Sequence, residues 1–189
     1  LMSIKKQTWL VSAIVLLALV VDQVSKVYVK THFELGEARE VFSWFWIAFV
    51  ENNGMAFGIE WFSKLLLTLF RIVAVGVIGW YIHMMIHKQQ VRTGYLATIA
   101  MVMAGALGNI IDCVFYGKIW GYAGWFHGRV VDMLYFPLIR NAAGECIFFR
   151  PVFNIADSFI TVAVFLIIFF YRKDLDESLN QIFPKKEKH

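Results

Sequence analysis

Four long apolar stretches constrain the fold of this chain more than any other feature. They lie at about 9–29, 65–86, 95–116 and 155–171. A bilayer core of about 30 Å requires about 20 mostly apolar residues in a helix. We therefore predict a mainly α membrane protein, a single multi-pass domain over residues 1–189 with four transmembrane helices. The first stretch runs into Asp22 and Lys26 rather than a small-residue cleavage site, which predicts a span and not a signal peptide.

The composition excludes several classes of protein. Of the 189 residues, 59% are hydrophobic and 17% are charged, whereas soluble domains average about 45–50% and about 25%. A cytosolic globule is therefore not expected. Two cysteines and no CxxC, HExxH or Cys/His cluster predict neither a bound metal nor a cofactor.

Basic residues near the helix ends predict the orientation. They precede the first span, occupy the short connection between the second and third spans, and follow the fourth span. Both termini and the tail at 172–189 are then cytoplasmic, and the longer loops at 30–64 and 117–154 lie outside. We expect the charged segment from Asp174 to His189 to be frayed. The net charge of +4 reflects this bias, so no nucleic-acid partner is predicted.

The outer loops are rich in aromatic residues, of which the run FSWFWIAFV at 42–50 is the densest. One interpretation is an interfacial belt, since amphipathic rings settle at the level of the lipid headgroups. The other is a small β platform built from 41–59 and 146–153, with a turn at Asn52-Asn53-Gly54. Both interpretations can hold together.

Polar side chains that are costly in a membrane converge near the outer ends of the predicted spans. With the topology above they share one depth on one side, which indicates a site. They are Asp22, Lys26, Asn52, Asn109, Asp112, Asp132, Asn154 and Asp157.

Structural roles remain open for several of these residues. Asp22 and Lys26 are four residues apart and favour an ion pair that orients the first helix over direct chemistry. Asn109 and Asn154 suit interhelical hydrogen bonds. Asp112 could pair with Lys26 or with Arg129.

Asp132 and Asp157 are harder to explain structurally, because each lies among apolar neighbours. Two desolvated carboxylates that approach each other share a proton. One can then deprotonate a water while the other protonates a leaving amine. The pattern predicts an aspartic-protease arrangement.

Five blocks of the sequence resemble the signature blocks of bacterial lipoprotein signal peptidase, also called signal peptidase II. They occur in the order of that family and are VDQVSK (21–26), ENNGMAFG (51–58), GALGNIIDC (105–113), GRVVDM (128–133) and FNIADSFI (153–160). The resemblance implies four helices with a small extracytoplasmic β cradle and a periplasmic helix or lid loop. It also implies an aspartyl endopeptidase of the bacterial inner membrane that cleaves diacylglyceryl-modified prolipoproteins before the lipidated cysteine.

The same resemblance implies roles for individual residues. Asp132 and Asp157 would be the catalytic pair. Residues that bind substrate or globomycin-type inhibitors, or that support the site, would be Asp22, Lys26, Asn52, Gly54, Gly108, Asn109, Asp112, Arg129, Asn154 and Ala156. The expected partners are the prolipoprotein and membrane lipids, and the enzyme is expected to act as a monomer.

The chain departs from the family pattern at two places. Family members usually carry Arg where this chain has Cys113, and we expect Arg129 to supply that charge, unless substrate positioning differs. An inserted segment at 116–127 predicts a flexible, membrane-touching lid. A disulfide between Cys113 and Cys146 is possible, although two free thiols are the default expectation.

Two other classes of function compete with a peptidase. A transporter would need polar residues through the whole depth of the membrane. Here they stop in the outer third, and Arg71, about one turn into the second span, is the only exception that lies deeper. A purely structural assembly protein would use the polar cluster only to fix helix packing. An assay for peptidase activity in detergent distinguishes a structural protein from a peptidase.

Overall fold

The computed structural model describes residues 2–53, 60–88, 91–141, 146–148 and 151–183. The helices are α1 (Ile4–His32), α2 (Glu60–Lys88), α3 (Thr93–Ile111), α4 (Gly117–Ile119), α5 (Ile155–Phe170) and α6 (Arg172–Ile182). The strands are β1 (Ala38–Phe42), β2 (Phe45–Asn52), β3 (Val130–Tyr135), β4 (Ile139–Arg140), β5 (Cys146–Phe148) and β6 (Val152–Phe153). A π-helical turn, Asp112–Tyr116, joins α3 to α4. A mainly helical fold with a small antiparallel sheet is confirmed.

All four apolar stretches lie in helices. Three candidate spans are long and apolar enough to cross a membrane, and they are Ile4–His32, Lys64–His87 and Thr93–Ile119. Helix α5 reaches that length only together with α6, and these two helices meet at 89°. The described residues therefore contain three candidate spans, or four if the bent pair counts as one.

Helix α3 is the centre of the bundle and packs against α1, α2 and α5. Its contact with α5 is close because Gly105 has no side chain: a Cβ there would lie 2.3 Å from the carbonyl oxygen of Ala156. At the other end of α3, Tyr95, Leu96 and Ala100 are fully buried in the main apolar cluster. The bundle thus holds the C-terminal half of α3 against the start of α5.

Four strands form an antiparallel sheet in the order β1-β2-β3-β6, and β4 pairs with β5 separately. The predicted strands within 41–59 and 146–153 correspond to β2, β5, β6 and the last two residues of β1. The described hairpin turn lies at Ser43-Trp44 rather than at Asn52-Asn53-Gly54, because β2 continues to Asn52. Gly54 lies outside the described residues.

Strand β3 was not predicted, and the sequence interpretation placed Asp132 in a loop. Val130 to Met133 are all buried, so this segment lacks the alternation of apolar and polar residues that marks a half-exposed strand. Pairing across the sheet sets Asp132 opposite Val50 of β2.

The inserted segment at 116–127 is a hydrogen-bonded loop, and its predicted role as a flexible lid stays a prediction. The Tyr122 amide donates to the Gly117 carbonyl at 3.1 Å, and the Phe126 amide donates to the Val114 carbonyl at 3.0 Å. The Trp120 and Tyr122 rings pack against an apolar cluster that includes Val29 and Val131. Trp125 of this segment is exposed. Its contact with the membrane stays a prediction.

The expectation of a frayed tail is wrong for residues 174–183, which belong to α6 as far as Ile182. Ser178 of α6 is buried and accepts or donates a hydrogen bond at 3.4 Å to the Tyr95 hydroxyl. Arg92, which precedes α3, forms an ion pair with Asp174 at 3.3 Å. Although most of its residues are charged or polar, one face of α6 packs against the bundle. Residues 184–189 lie outside the described part.

Candidate active site

A buried lysine organises the α1 side of the site. Lys26 Nζ lies 2.9 Å from Asp22 Oδ2 and 2.7 Å from Asp112 Oδ2, and it donates to Asn109 Oδ1 at 3.1 Å. Its side chain is 0% exposed. Two carboxylates and an amide oxygen therefore compensate for the cost of burying the ammonium. Asp112 was expected to pair with Lys26 or with Arg129, and it pairs with Lys26.

Gln23 connects the same carboxylates and was missed at the sequence level. Its Nε2 donates to Asp22 Oδ2 at 3.0 Å, Asp112 Oδ1 at 3.0 Å and the Gly108 carbonyl at 3.2 Å. The Tyr116 hydroxyl donates to Gln23 Oε1 at 3.1 Å. A glutamine directly after Asp22 in an apolar run was the available signal, since an uncharged amide in a span also needs partners.

Asn154 caps the N-terminus of α5, and its side chain also reaches into the site. Its Oδ1 accepts from the Asp157 amide at 2.9 Å, while Asp157 Oδ2 accepts from the Asn154 amide at 3.4 Å, which makes a capping box. The Asn154 Nδ2 donates to Asp132 Oδ1 at 2.7 Å and to Asn109 Oδ1 at 3.1 Å. One amide thus joins β3, α3 and the first turn of α5.

The two carboxylates singled out from the sequence lie on either side of this amide bridge. Asn109 Nδ2 donates to Asp157 Oδ1 at 2.8 Å, and the Asn52 side chain makes a hydrogen bond to the Asp132 carboxylate. Asp132 is buried and Asp157 is half-buried. Asp132 is near enough to Asp157 for their charges to interact.

Burial and, to a smaller extent, the neighbouring charge of Asp157 raise the pKa of Asp132 to about 6. Hydrogen bonds from Asn154 and Asn52 oppose this rise, because they stabilise the ionised carboxylate. A carboxyl that keeps its proton up to about pH 6 beside a second carboxylate can serve an acid–base reaction.

Two small residues, Gly108 and Ala156, leave room for the Asp22 carboxylate between the helices. A Cβ on Gly108 would lie 2.6 Å from Asp22 Oδ2 and 3.1 Å from the Ala156 Cβ. The Ala156 amide donates to Asp22 Oδ1 at 2.9 Å. The predicted support residues Gly108 and Ala156 therefore lie against Asp22, and larger side chains would separate α1, α3 and α5.

Glu51 of β2 forms a second polar cluster with Lys30 and Arg129. It pairs with Lys30 and, through Oε2, accepts from Arg129 at 3.0 Å. The Lys30 ammonium also lies 5.1–5.4 Å from the ring centres of Phe49, Trp120 and Tyr122. Burial raises the pKa of the Glu51 carboxyl, but the hydrogen bonds and charges of Lys30 and Arg129 outweigh it and lower the pKa overall. Glu51 therefore holds the inserted loop to β2 as an anion.

The guanidinium beside Cys113 belongs to Arg71 rather than to Arg129. Arg71 of α2 donates to Cys113 Sγ at 3.0 Å, whereas Arg129 pairs with Glu51. Both cysteines are free thiols, in agreement with the default expectation. Arg71 was noted in the sequence only as a deep charge, and the sequence carried no signal that paired it with Cys113. Within the described part of the chain, no group of three metal-ligating side chains could hold an ion.

A family model and several curated relatives match most of the chain. A family model described as Signal peptidase (SPase) II matches residues 14–172. Lipoprotein signal peptidases of two strains of Porphyromonas gingivalis are 45% identical over 185 residues, covering 85% of this chain and 82% of each relative. The lipoprotein signal peptidase of Amoebophilus asiaticus is 34% identical over 196 residues, covering 93% and 83%.

A solved structure described as a bacterial membrane enzyme is similar in fold as well. It aligns with a TM-score of 0.66 and 29% identity, and the alignment covers 95% of this chain and 93% of that one.

Proposed function

This chain belongs to the signal peptidase II family, and from that premise we propose that it is an aspartyl endopeptidase acting on diacylglyceryl-modified prolipoproteins. It is a multi-pass membrane protein of a peptidase family. The proposed reaction removes the signal peptide by cleavage before the lipidated cysteine. The observation that carries the mechanism is the amide bridge through Asn154 and Asn109, which holds the carboxylates of Asp132 and Asp157 side by side.

In this mechanism the two carboxylates divide the acid and base roles. Asp132 is the more buried and holds the shared proton, since its pKa is raised to about 6. Asp157 accepts hydrogen bonds from the Asn109 side chain at Oδ1 and from the Asn154 amide at Oδ2, so both of its carboxylate oxygens are held in place. Asp157 takes a proton from water, and the water oxygen attacks the scissile carbonyl carbon. Asp132 then gives its proton to the leaving amine as the C–N bond breaks.

The surrounding residues support the pair without touching the reacting atoms. Asp22, Lys26 and Asp112 brace α1 against α3, and Gly108 with Ala156 keeps those helices close. Asn52 orients Asp132 from β2. Arg129 and Glu51 fix the loop that covers the sheet, a position from which they would meet substrate or a globomycin-type inhibitor. Gly54 follows Asn52 along the chain and is assigned a role by family resemblance alone.

The proposed topology has four crossings in the inner membrane, with both termini cytoplasmic and the sheet on the opposite side. The distribution of basic residues supports it. The bend between α5 and α6 agrees with a helix that leaves the membrane and turns along its surface. Residues 1–189 would form one domain that acts as a monomer.

Lipid anchoring of the substrate explains specificity under this proposal. Each buried CH₂ contributes about 0.8 kcal/mol to membrane affinity, so two acyl chains hold the scissile bond at a fixed depth. Exposed aromatic residues of the β1–β2 hairpin, Phe42 and Trp44, suit that interface. Fixed depth beside the carboxylates lowers the entropic part of the barrier.

The test is cleavage of a diacylglyceryl-modified prolipoprotein in detergent by wild type, Asp132→Asn and Asp157→Asn. Asp176→Asn, on the exposed face of α6, is the matched control. We expect both site variants to be folded and inactive and the control to be active. Near-wild-type turnover by either site variant would refute the pair. An unlipidated precursor should be cleaved poorly, and equal turnover of the two substrates would contradict the anchoring explanation.

A further inference from the structure

The side-chain amide of Gln23 on α1 is held at both of its ends. Its Nε2 donates to Asp22 Oδ2 and to Asp112 Oδ1 at 3.0 Å each. The Tyr116 hydroxyl donates to its Oε1 at 3.1 Å. Because an amide carries two N–H donors in one plane, Gln23 can bind both carboxylates at once and fix their positions relative to each other. We call these two hydrogen bonds the Gln23 clamp.

On the α5 side, Asp22 holds the start of the helix that carries Asp157. The second oxygen of Asp22, Oδ1, accepts from the Ala156 amide at 2.9 Å. That amide is among the first N–H groups of α5, which have no partner within the helix. Ala156 directly precedes Asp157 in the sequence. The position of the Asp22 carboxylate therefore sets the position of the backbone at Asp157.

On the β3 side, Asp112 holds the strand that carries Asp132 in the same way. While Asp112 Oδ1 accepts from Gln23, its Oδ2 accepts from the Val131 amide at 3.4 Å. Val131 is 0% exposed and directly precedes Asp132. Each carboxylate of the Gln23 clamp thus holds the backbone immediately before one member of the proposed catalytic pair.

Lys26 also lies between Asp22 and Asp112, but its contribution differs in kind. An ammonium is a compact charge with three rotatable donors, so it attracts both carboxylates without fixing their directions. The amide of Gln23 is planar, and Tyr116 holds its carbonyl end. Lys26 therefore supplies attraction between the helices, and Gln23 supplies the geometry.

We propose that Gln23 is a positioning residue that sets the separation of the Asp132 and Asp157 carboxylates. It acts through the two backbone amides that its carboxylate partners hold, and it does not touch the reacting atoms. The inference rests on the proposed peptidase function, because it takes this pair as the reacting groups. A displacement of reacting groups by about 1 Å can lower a rate by about 100-fold. Loss of the Gln23 clamp should therefore lower kcat far more than it changes KM.

The experiment measures cleavage of a diacylglyceryl-modified prolipoprotein in detergent by wild type, Gln23→Met and Tyr116→Phe. Methionine is close to glutamine in length and flexibility but has no N–H donor. Tyr116→Phe keeps the buried ring and removes only the hydroxyl that holds Gln23. The matched control is Gln7→Met, which is the same substitution at a buried glutamine near the other end of α1.

The titration of Asp132 distinguishes a positioning role from a general loss of folded enzyme. Burial and the charge of Asp157 on α5 raise its pKa to about 6. The charge of Lys26 on α1 and hydrogen bonds from Asn154 and Asn52 oppose that rise. Like charges repel, so a loosened pair should move apart and the pKa of Asp132 should fall, by about half a pH unit for about 1 Å. A smaller folded fraction lowers kcat but leaves this pKa unchanged.

We expect Gln23→Met to lower kcat about 100-fold while KM stays within about twofold of wild type. Tyr116→Phe should lower kcat by up to about tenfold, the scale of one neutral hydrogen bond. In both variants the infrared C=O band of protonated Asp132, identified by its loss in Asp132→Asn, should titrate at lower pH than in wild type. Gln7→Met should match wild type in kcat and in this titration.

Wild-type kcat in folded Gln23→Met would overturn the proposal, and so would a lower kcat with an unmoved titration of Asp132. If Gln23→Met does not fold, Tyr116→Phe decides, and an unchanged kcat and titration in that variant overturn the proposal. An equal shift in Gln7→Met would do the same, because any buried change in α1 would then have this effect. The peptidase proposal fails separately, through activity of Asp132→Asn or Asp157→Asn, whereas the infrared titration needs no substrate and tests the Gln23 clamp by itself.

Discussion

Asn154 Nδ2 lies 2.7 Å from Asp132 Oδ1, so the residue that caps α5 also holds a carboxylate of the sheet. The start of a helix and the geometry of the proposed catalytic pair therefore depend on one side chain. Because Asn154 is fully buried, water cannot replace the hydrogen bonds that it makes. A change at this position should affect stability and activity together.

Asn154→Ala removes the cap of α5 and the link between Asp132 and Asn109. Loss of an N-cap costs about 1 kcal/mol, and the buried partners left without a donor add about 1–3 kcal/mol. We expect a lower melting temperature and a fall in kcat/KM of at least about 100-fold, since each 1.4 kcal/mol of lost transition-state stabilisation is tenfold. Thermal melting and cleavage assays measure the two effects.

The control for this variant is Asn180→Ala, which changes an exposed asparagine of α6. It should melt and cleave like wild type. Wild-type kcat/KM in Asn154→Ala would show that the amide bridge is not needed to align the carboxylates.

The rate should fall as rising pH removes the proton from Asp132. Burial, with the adjacent charge of Asp157, raises the pKa of Asp132 to about 6. Because kcat/KM reports the free enzyme, it should decline about tenfold per pH unit above that value. Bound substrate excludes more water and raises the pKa further, so the decline of kcat should lie at higher pH. Profiles of both constants from pH 4 to 9 test this, and a flat kcat/KM above pH 6 would contradict the role of Asp132 as the acid.

Asp132→Asn should stabilise the folded protein above pH 6 while it abolishes cleavage. The pKa of Asp132 is raised from 3.8 to about 6 in the folded state, so the folded protein binds this proton more tightly than the unfolded chain. The resulting stabilisation is complete below about pH 4 and is lost as the pH rises to about 6. Two pKa units correspond to at most about 3 kcal/mol.

The asparagine of this variant still accepts the hydrogen bond from Asn154 but carries no charge. The stability of the variant therefore lacks the pH dependence that Asp132 gives to wild type. Melting temperatures of wild type and variant should therefore diverge between pH 4 and 6, with the variant higher at pH 7. Asp176→Asn is the control and should follow wild type at each pH. A variant that melts below wild type at pH 7 would mean that the Asp132 anion stabilises the fold.

The sequence predicted the helices and the polar convergence because both follow from the cost of polar groups in lipid. Asp22 with Lys26 is an ion pair, one of the two interpretations left open. Asn109 and Asn154 make hydrogen bonds between elements, as their position in spans suggested. Such inferences depend on the local sequence and on the depth of a residue in the membrane, and the hydropathy pattern indicates both.

Features that depend on tertiary contact could not be predicted. Strand β3 is buried throughout, so its sequence lacks the period of two residues that identifies a strand. The contact between Arg71 and Cys113 joins positions 42 residues apart, and no local pattern pairs them. Helix α6 was interpreted as a frayed tail because charge dominates its composition, although Ser178 is buried against the bundle.

Gly108→Ala should disturb the site although it adds a single methyl group. The new Cβ would lie 2.6 Å from Asp22 Oδ2, and Asp22 cannot easily move because Lys26 and the Ala156 amide hold it at 2.9 Å each. Overpacking of this kind costs about 1–3 kcal/mol. We expect a lower melting temperature and reduced cleavage, because α1 and α5 must separate near the carboxylates.

The matched control is Gly76→Ala in α2, where a Cβ would meet nothing within 4 Å. Alanine is about 1 kcal/mol more favourable than glycine in a helix interior, so this variant should melt at or above the wild-type temperature and cleave normally. The two substitutions are chemically identical and both lie in predicted spans. A difference between them therefore measures the packing around Asp22, and equal behaviour would mean that the contact between α3 and Asp22 tolerates a methyl group.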